Sequence, residues 1–350
     1  MQSLDDPEDP SMDFLPPKKK ITAKSLCLFF LKLIGTGIFL YWAFSLVEDK
    51  DALAGNFKLA LTSPFWLICG IGLAGIALFA SALRLYVLLR AMSIHLGLGY
   101  ITKLTLIAAL FSVTSFGTAA GDAMKMISIM RRYPDKKVII TMTVMVDHMV
   151  GFISSALIFL LFGWGFGTVQ GTEILAVKQA FLAATAFQVI GIITIVGMFF
   201  ISSDKTLKKF REKLPRIASN KHLLSVTTSL NIFRTSYRAF AIALAASFIL
   251  SSSYFLCFYV GLRTVGEQIA MSTVLTVMPI VDVVSSLPIT ISGLGVRERT
   301  FDFLISELAS IHTSSTVSAS LIGFLFHVFW GLVGGFFLIS HKSSQPKEKN

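Results

Sequence analysis

Two short segments of the sequence place glycine next to charge inside otherwise apolar surroundings. The first runs from Gly117 through Gly121 to Asp122 and Lys125, and it opens a predicted helix. A helix that begins after glycine presents free N–H donors and the positive end of its dipole, which suits a phosphate group. Asp122 and Lys125 are three residues apart and therefore share one helix face. We expect either a phosphate-binding site here, or a helix-capping Asp122 with Lys125 at the cytoplasmic surface.

The second segment repeats this combination of chain breaks and charge later in the sequence. Paired N–H groups of two arginines could grip a phosphodiester, and Glu298 could hold one of the arginines in place. The alternative is an exposed turn on the outer surface. Because glycine breaks coincide with charge in both segments, we favour a binding site. The residues of this second segment are Pro288, Gly293, Gly295, Arg297, Glu298 and Arg299.

Three further ionisable residues lie within apolar runs. A charge at the centre of a membrane helix costs roughly 2.5–3.5 kcal/mol, so each one is informative. The adjacent Asp147 and His148 are either a proton relay or a structural polar pair. Arg84, near the inner end of another run, is either an anchor that sets topology or a contact for a lipid headgroup.

The composition identifies the class of protein that must position these residues. The chain has 350 residues, of which 54% are hydrophobic and 15% charged, with a mean hydropathy of +0.73. Soluble proteins carry about 25% charged residues, and the apolar residues here come in runs of about twenty, enough to span a bilayer. The sequence therefore predicts an all-α polytopic membrane protein. It contains no GxxxxGK[ST], HExxH or GxSxG motif, so we expect neither an enzyme nor a cofactor.

Apolar runs bounded by charge, glycine or proline predict six full transmembrane helices. Two more segments, 101–120 and 271–295, are apolar but interrupted by glycine or proline. Broken backbone at membrane depth is tolerated only where protein or a water-filled cavity satisfies it, so we expect these two to be re-entrant hairpins. The six predicted spans cover approximately residues 25–46, 64–83, 138–166, 180–201, 237–260 and 315–340.

Lys and Arg in the connections set the predicted orientation. Both termini lie in the cytoplasm: a disordered tail (1–24), a membrane transport domain (25–340) with a basic cytoplasmic linker (202–236), and a short tail (341–350). This places the chain in the inner (plasma) membrane. It also explains the net charge of +11 without nucleic acid, because cytoplasmic bases face anionic lipid. Of the 31 Lys and Arg residues, those predicted outside are Lys50, Lys58, Lys178, Arg263, Arg297 and Arg299.

The predicted elements form an internal repeat. The order span, span, interrupted segment, span occurs in residues 25–166 and again in 180–340, with opposite orientation in the membrane. Gly121 and Gly295 occupy corresponding breaks, 174 residues apart, and the flanking spans are offset by almost the same number. Inverted repeats with broken helices in corresponding positions indicate a transporter whose site lies between the halves.

Four motifs carry a resemblance to a known family. They lie in residues 82–89, in 115–125, at Asp147-His148 and, with the closest match, in 287–298. On these residues the chain resembles the transmembrane flippase module of lysylphosphatidylglycerol synthases and the stand-alone flippase-like proteins related to it. The likeness covers about residues 25–340, although Lys125 stands where the family has arginine. It implies a lipid translocation module without the synthase domain.

Together these features predict a flippase-like transporter that moves a phosphate-bearing lipid between leaflets: a phospholipid, an aminoacylated phospholipid or a polyprenyl-phosphate lipid. Lys125, Arg297 and Arg299 would bind the phosphate, and Asp122 and Glu298 would orient them. Membrane lipids are the expected partners; a second copy of the chain or a separate lipid-modifying enzyme stays open. The alternatives are a small-anion secondary transporter and a non-transporting scaffold that docks an enzyme through the basic linker.

Overall fold

The computed structural model describes residues 50–114, 118–201, 236–287 and 290–343, with the single positions Tyr41 and Asn231. In this part of the chain helices are the only regular secondary structure. The helices are α1 (Lys50–Leu61), α2 (Pro64–Ala91), α3 (Leu98–Thr114), α4 (Thr118–Arg132), α5 (Lys137–Phe159), α6 (Leu175–Ile201), α7 (Tyr237–Thr264), α8 (Met271–Ser285), α9 (Val296–Ala309) and α10 (Thr313–Ser343). Short helical turns at Pro134–Lys136 and Ile291–Gly293 precede α5 and α9, and a π-helical turn extends α5 to Gly165.

Five stretches in the described residues are long and apolar enough to cross a membrane, which confirms a multi-helix membrane protein. They correspond to five of the predicted spans; the sixth, at about 25–46, lies outside the described residues apart from Tyr41. The span predicted to end at residue 83 continues to Ala91, because Arg84 has partners inside the protein and need not reach the surface. The five stretches are Pro64–Ala91, Pro134–Gly165, Leu175–Met198, Tyr237–Thr264 and Thr313–Leu338.

Each interrupted segment contains the first of two shorter helices that pack on one another, and the second helix extends beyond the predicted ends at 120 and 295, to Arg132 and to Ala309. We call α3 with α4 the first hairpin and α8 with α9 the second hairpin. The break in the second hairpin requires unusual backbone: Ser292, Gly293 and Gly295 have φ values of +54°, +72° and +83°. Glycine adopts this left-handed region without steric cost, so its place in the break follows from the backbone.

The long helices α2 and α7 pack together along their length at the centre of the fold. Around them, α10 packs against α3 and α7, and α5 packs against α7 and α8. Each hairpin is therefore held by the last helix of the other half of the chain. The largest buried hydrophobic cluster joins α2, α5, α7, α8 and α10, and its bulkiest members are Phe159, Phe181, Phe255, Phe258 and Phe301.

Candidate functional site

The first turn of α9 contains a buried ion pair, Arg297 with Glu298, whose two charges neutralise each other. Arg297 donates from Nε and Nη2 to Oε1 of Glu298, at 3.0 and 2.5 Å. Oε2 of Glu298 accepts the backbone N–H of Gly295 at 2.5 Å, so the carboxylate also caps the helix. Arg297 is 3% exposed and Glu298 is fully buried. The alternative of an exposed outer turn is therefore wrong for these two residues, because their charges satisfy each other inside the protein.

Aromatic and hydroxyl groups surround this pair. The Arg297 guanidinium lies 4.1 Å from the ring centroid of Phe324 and 5.8 Å from that of Phe258. Ser320 Oγ donates to Glu298 Oε1 at 3.4 Å. A guanidinium stacked on aromatic rings in a dry environment is held by cation–π attraction as well as by hydrogen bonds. Arg297 is thus a positioned cation rather than a mobile one.

Arg299 and Asp302 form a second pair one turn along α9. Arg299 Nη1 donates to Asp302 Oδ2 at 2.7 Å, and the hydroxyl of Thr316 on α10 donates to the other carboxylate oxygen at 2.5 Å. The side chain of Arg299 is 29% exposed, whereas that of Asp302 is 2% exposed. Arg299 therefore keeps an accessible surface that Arg297 lacks.

In the first hairpin, Asp122 accepts from two bases. Lys125 Nζ lies 2.8 Å from Oδ1, and His148 Nε2 on α5 lies 2.9 Å from Oδ2. Burial would raise the pKa of Asp122, but Lys125 and His148 outweigh that effect and hold the pKa well below its usual range. The alternative in which Asp122 caps the helix is wrong, since α4 already begins at Thr118. Asp122 instead ties α4 to α5.

Gly121 allows the two helices of the first hairpin to approach closely. A Cβ at this position would lie 2.2 Å from Ser112 Oγ and 2.7 Å from the carbonyl oxygen of Ala108. Both atoms belong to α3, and one of them is backbone that cannot move aside. Gly121 therefore serves the packing of the hairpin that carries Asp122 and Lys125.

Arg84 and Asp147 form a buried pair between α2 and α5. Arg84 donates from Nε and Nη2 to the two oxygens of Asp147, at 2.6 and 2.7 Å, and from Nη1 to Ser247 Oγ on α7 at 3.0 Å. Arg84 is 7% exposed and Asp147 is 3% exposed. Asp147 and His148, neighbours in sequence, thus engage separate partners, Arg84 and Asp122.

The two hairpins touch at their breaks. Ser292, in the turn before α9, donates to the carbonyl oxygens of Ser112 and Val113 at the end of α3, at 2.7 and 3.0 Å. These carbonyls belong to the last turn of α3, where a side-chain donor from outside the helix can satisfy a carbonyl oxygen. The two broken segments, which were predicted to approach each other, are therefore in direct contact through these hydrogen bonds. Gly117 and Pro288, also predicted for this site, lie outside the described residues.

Sequence reasoning missed the hydroxyl groups of the site. Ser292 joins the hairpins, Ser247 completes the partners of Arg84, and Thr316 completes those of Asp302. Each partner lies more than ten positions away along the chain. Serine and threonine are common in membrane helices, so nothing in their local sequence distinguished these three from the others.

Comparison with known families fits this architecture. The profile of the family described as "Lysylphosphatidylglycerol synthase TM region" matches residues 29–335. The chain belongs to this family. The match takes in both hairpins and every charged pair described above, so the lysylphosphatidylglycerol synthase TM region is represented here by essentially the whole membrane part. A comparison with curated proteins finds no match.

Proposed function

We propose that this chain is a flippase-like transporter that moves a phosphate-bearing lipid between the leaflets of the membrane, without catalysing a reaction. The observation that carries the proposal is the meeting of two charged helix breaks through Ser292 and the end of α3. Membership of the lysylphosphatidylglycerol synthase TM region family supports a lipid as the substrate. Broken helices at membrane depth are tolerated where they line a cavity, which is where a headgroup needs polar partners.

An inverted repeat is part of the proposal. Helices α2 to α5 and α7 to α10 follow the same order: a long helix, a hairpin, a long helix. The first long helices begin at Pro64 and Tyr237, and the hairpins begin at Leu98 and Met271, an offset of 173 residues in both cases. The packing is also reciprocal, because α3 contacts α10 and α8 contacts α5. These features support two re-entrant hairpins entering from opposite sides.

The proposed headgroup contacts follow from the accessibility of the bases. Arg299 and Lys125 would hold the phosphate, and the buried Arg297 would add positive potential without reaching the surface. Their carboxylate partners, Asp302, Asp122 and Glu298, fix their positions, so the bases stay ordered when no lipid is bound. A phosphate oxygen competes well for such groups, since charge-assisted hydrogen bonds to arginine and lysine are strong. The lipid tails would remain in the bilayer.

The test is lipid exchange in liposomes that contain the purified chain. Fluorescent phosphatidylglycerol, aminoacylated phosphatidylglycerol and a polyprenyl phosphate are each placed in one leaflet, and a membrane-impermeant quencher reports their movement. We expect exchange of at least one of these lipids to be faster than in empty liposomes. Exchange equal to the empty control for all three would overturn the proposal. Release of trapped phosphate without lipid exchange would instead identify a small-anion transporter.

Lys125 provides a specific prediction for this assay. Lys125→Ala should slow exchange and raise the lipid concentration needed for half-maximal rate, because one phosphate contact is lost. Lys58→Ala on α1 is the matched control, since this lysine lies in none of the charged pairs described above. Equal exchange curves for both variants and the unchanged protein would remove Lys125 from the binding site.

A further inference from the structure

Asp282, on α8, differs from the other acids of the membrane part. Within the residues that the structure describes, its carboxyl group makes no hydrogen bond and no ion pair. A charged carboxylate without a partner is expensive inside a membrane, so such a residue calls for a functional explanation. The acids with which it contrasts, each paired with a base at 2.9 Å or less, are Asp122, Asp147, Glu298 and Asp302.

The groups around Asp282 come from several elements and leave it unpaired. On α9, Arg297 lies within electrostatic range of Asp282, but its guanidinium is already bonded to Glu298. On α7, Tyr254 lies within range of Asp282 and has Cys257 beside it. The π-helical turn at the end of α5 packs on α8 where Gly163 faces the methyl group of Thr276. Arg297 therefore lowers the cost of a charged Asp282 without binding it.

On α10, His327 adds a second acceptor to this cluster. Its Nδ1 lies 3.1 Å from the carbonyl oxygen of Gly323, and because a carbonyl only accepts, Nδ1 must carry the proton. Nε2 is then a free lone pair, and it is buried with no hydrogen-bond partner. The imidazole ring contacts Tyr254 edge-on, with centroids 4.7 Å apart. His327 and Asp282 thus both present acceptors, on helices that meet around Tyr254 and Arg297.

Asp282 also retains some accessible surface. Its side chain is partly exposed. The preceding turns of α8 are fully buried: Thr276, Val277, Met278 and Val281 each have no exposed surface. The buried part of α8 therefore ends at Asp282, whose carboxyl group keeps some accessible surface.

From this cluster we infer that Asp282 takes up a small monovalent cation, a proton or Na⁺, and that this uptake couples an ion gradient to lipid movement. The coupling rests on the proposed transport function, whereas the uptake does not. No group of three or more His, Cys, Asp and Glu side chains suited to a metal ion occurs among the described residues, and the single negative charge of Asp282 is neutralised by one monovalent cation.

Binding of a cation to Asp282 changes how strongly Asp282 competes with Glu298 for Arg297. A charged Asp282 attracts this guanidinium away from Glu298, while a neutralised Asp282 leaves the Arg297–Glu298 pair intact. If the cation is a proton, an O–H bond forms on the carboxylate while an O–H bond of a hydronium ion breaks, which leaves a water molecule. Glu298 also caps α9 through Gly295, so the position of Arg297 bears directly on the break in the second hairpin.

Infrared difference spectroscopy on the purified full chain in detergent tests the uptake without any lipid transport. Spectra are taken across a pH range in Na⁺ and in choline, and the carboxylic-acid band is followed. We expect a band that titrates with pH and is lost in Asp282→Asn but kept in Asp135→Asn, an exposed acid before α5. A titration displaced by Na⁺ identifies Na⁺ as a competing ligand, and one unaffected by Na⁺ identifies the proton alone.

Two further variants keep the test decisive. Asp282→Glu keeps a titrating carboxyl and should restore the band at a shifted position, and His327→Gln should displace the midpoint of the titration. Gel filtration and circular dichroism report folding of each variant. A band unchanged in Asp282→Asn, or the absence of any titrating band in the unchanged protein, would overturn the inference. Either result leaves lipid exchange in liposomes as a separate question.

Discussion

At the scale of single residues, charge pairing dominates the membrane part of this protein. Arg84, Lys125, Arg297 and Arg299 were all identifiable from the sequence as charges in costly surroundings. Their partners were only partly identifiable: neighbours in sequence, such as Glu298 for Arg297, follow from spacing, whereas Asp147 for Arg84 requires the fold. The cost of an unpaired charge explains why each base has a carboxylate beside it.

The buried Arg84–Asp147 pair should contribute strongly to stability. Arg84→Ala leaves Asp147 uncompensated, so we expect the free energy of unfolding to fall by about 3–5 kcal/mol. Arg84→Met combined with Asp147→Leu removes both charges and should cost less than Arg84→Ala alone. Denaturant unfolding in mixed micelles measures both effects. A double variant that loses as much stability as the sum of Arg84→Met and Asp147→Leu, each measured separately, would show that the pair is not coupled.

The cost of burying a charge applies to Asp282 as well, so this argument could have identified Asp282 from the sequence. It lies in an apolar segment between Pro279 and Pro288, and the argument applied to Asp122 and Asp147 applies to it as well. It lies inside the interrupted segment 271–295, which was recognised by its glycine and proline residues. What distinguishes it is the absence of a partner within the described residues, and that property belongs to the three-dimensional arrangement.

At the scale of elements, the two hairpins are the features that the sequence predicted most usefully. Glycine and proline marked both breaks, because no regular helix accommodates the φ values found at Gly293 and Gly295. We expected the two breaks to lie close together, but the sequence did not indicate that Ser292 would form the hydrogen bonds between them. A serine with a positive φ is rare, and the preference of glycine for this region gave no indication of it.

The close packing of the first hairpin gives an element-scale prediction. Gly121→Ala forces the added methyl group against α3, so we expect a loss of about 1–3 kcal/mol in unfolding free energy. Gly72→Ala is the matched control: it lies in α2 with nothing within 4 Å of the added atom. It should change stability by less than about 1 kcal/mol. Equal stability of the two variants would show that the hairpin separates easily.

At the scale of the whole molecule, the sequence predicted the class of protein more securely than the shape of its site. Composition and apolar run length were enough for a helical membrane protein, and the described residues contain five helices long and apolar enough to cross a membrane. The reciprocal packing of hairpins on long helices, α3 with α10 and α8 with α5, could not be read from periodicity. Side-chain partners between distant helices depend on that packing, which is why hydroxyl groups such as Ser247 were missed.

Orientation remains a prediction at this scale. The excess of Lys and Arg places both termini and the linker 202–236 in the cytoplasm. We expect a reporter that folds only in the cytoplasm to be active when fused after residue 350 or inserted at about residue 215, and inactive when inserted at about residue 171. A reporter that is active only at about residue 171 would show the opposite topology, with both termini outside and each hairpin entering from the opposite side of the membrane.

The most direct measurement of the central claim is lipid exchange by Glu298→Gln in liposomes. This change keeps the size of the side chain but leaves buried Arg297 without a counter-charge. Losing such a charge-assisted hydrogen bond costs about 1.5–3 kcal/mol, so exchange should fall about tenfold or more below that of the unchanged protein. Glu307→Gln, an exposed acid on the same helix, should exchange lipid at the unchanged rate. Exchange by a folded Glu298→Gln protein at the full rate would contradict the account.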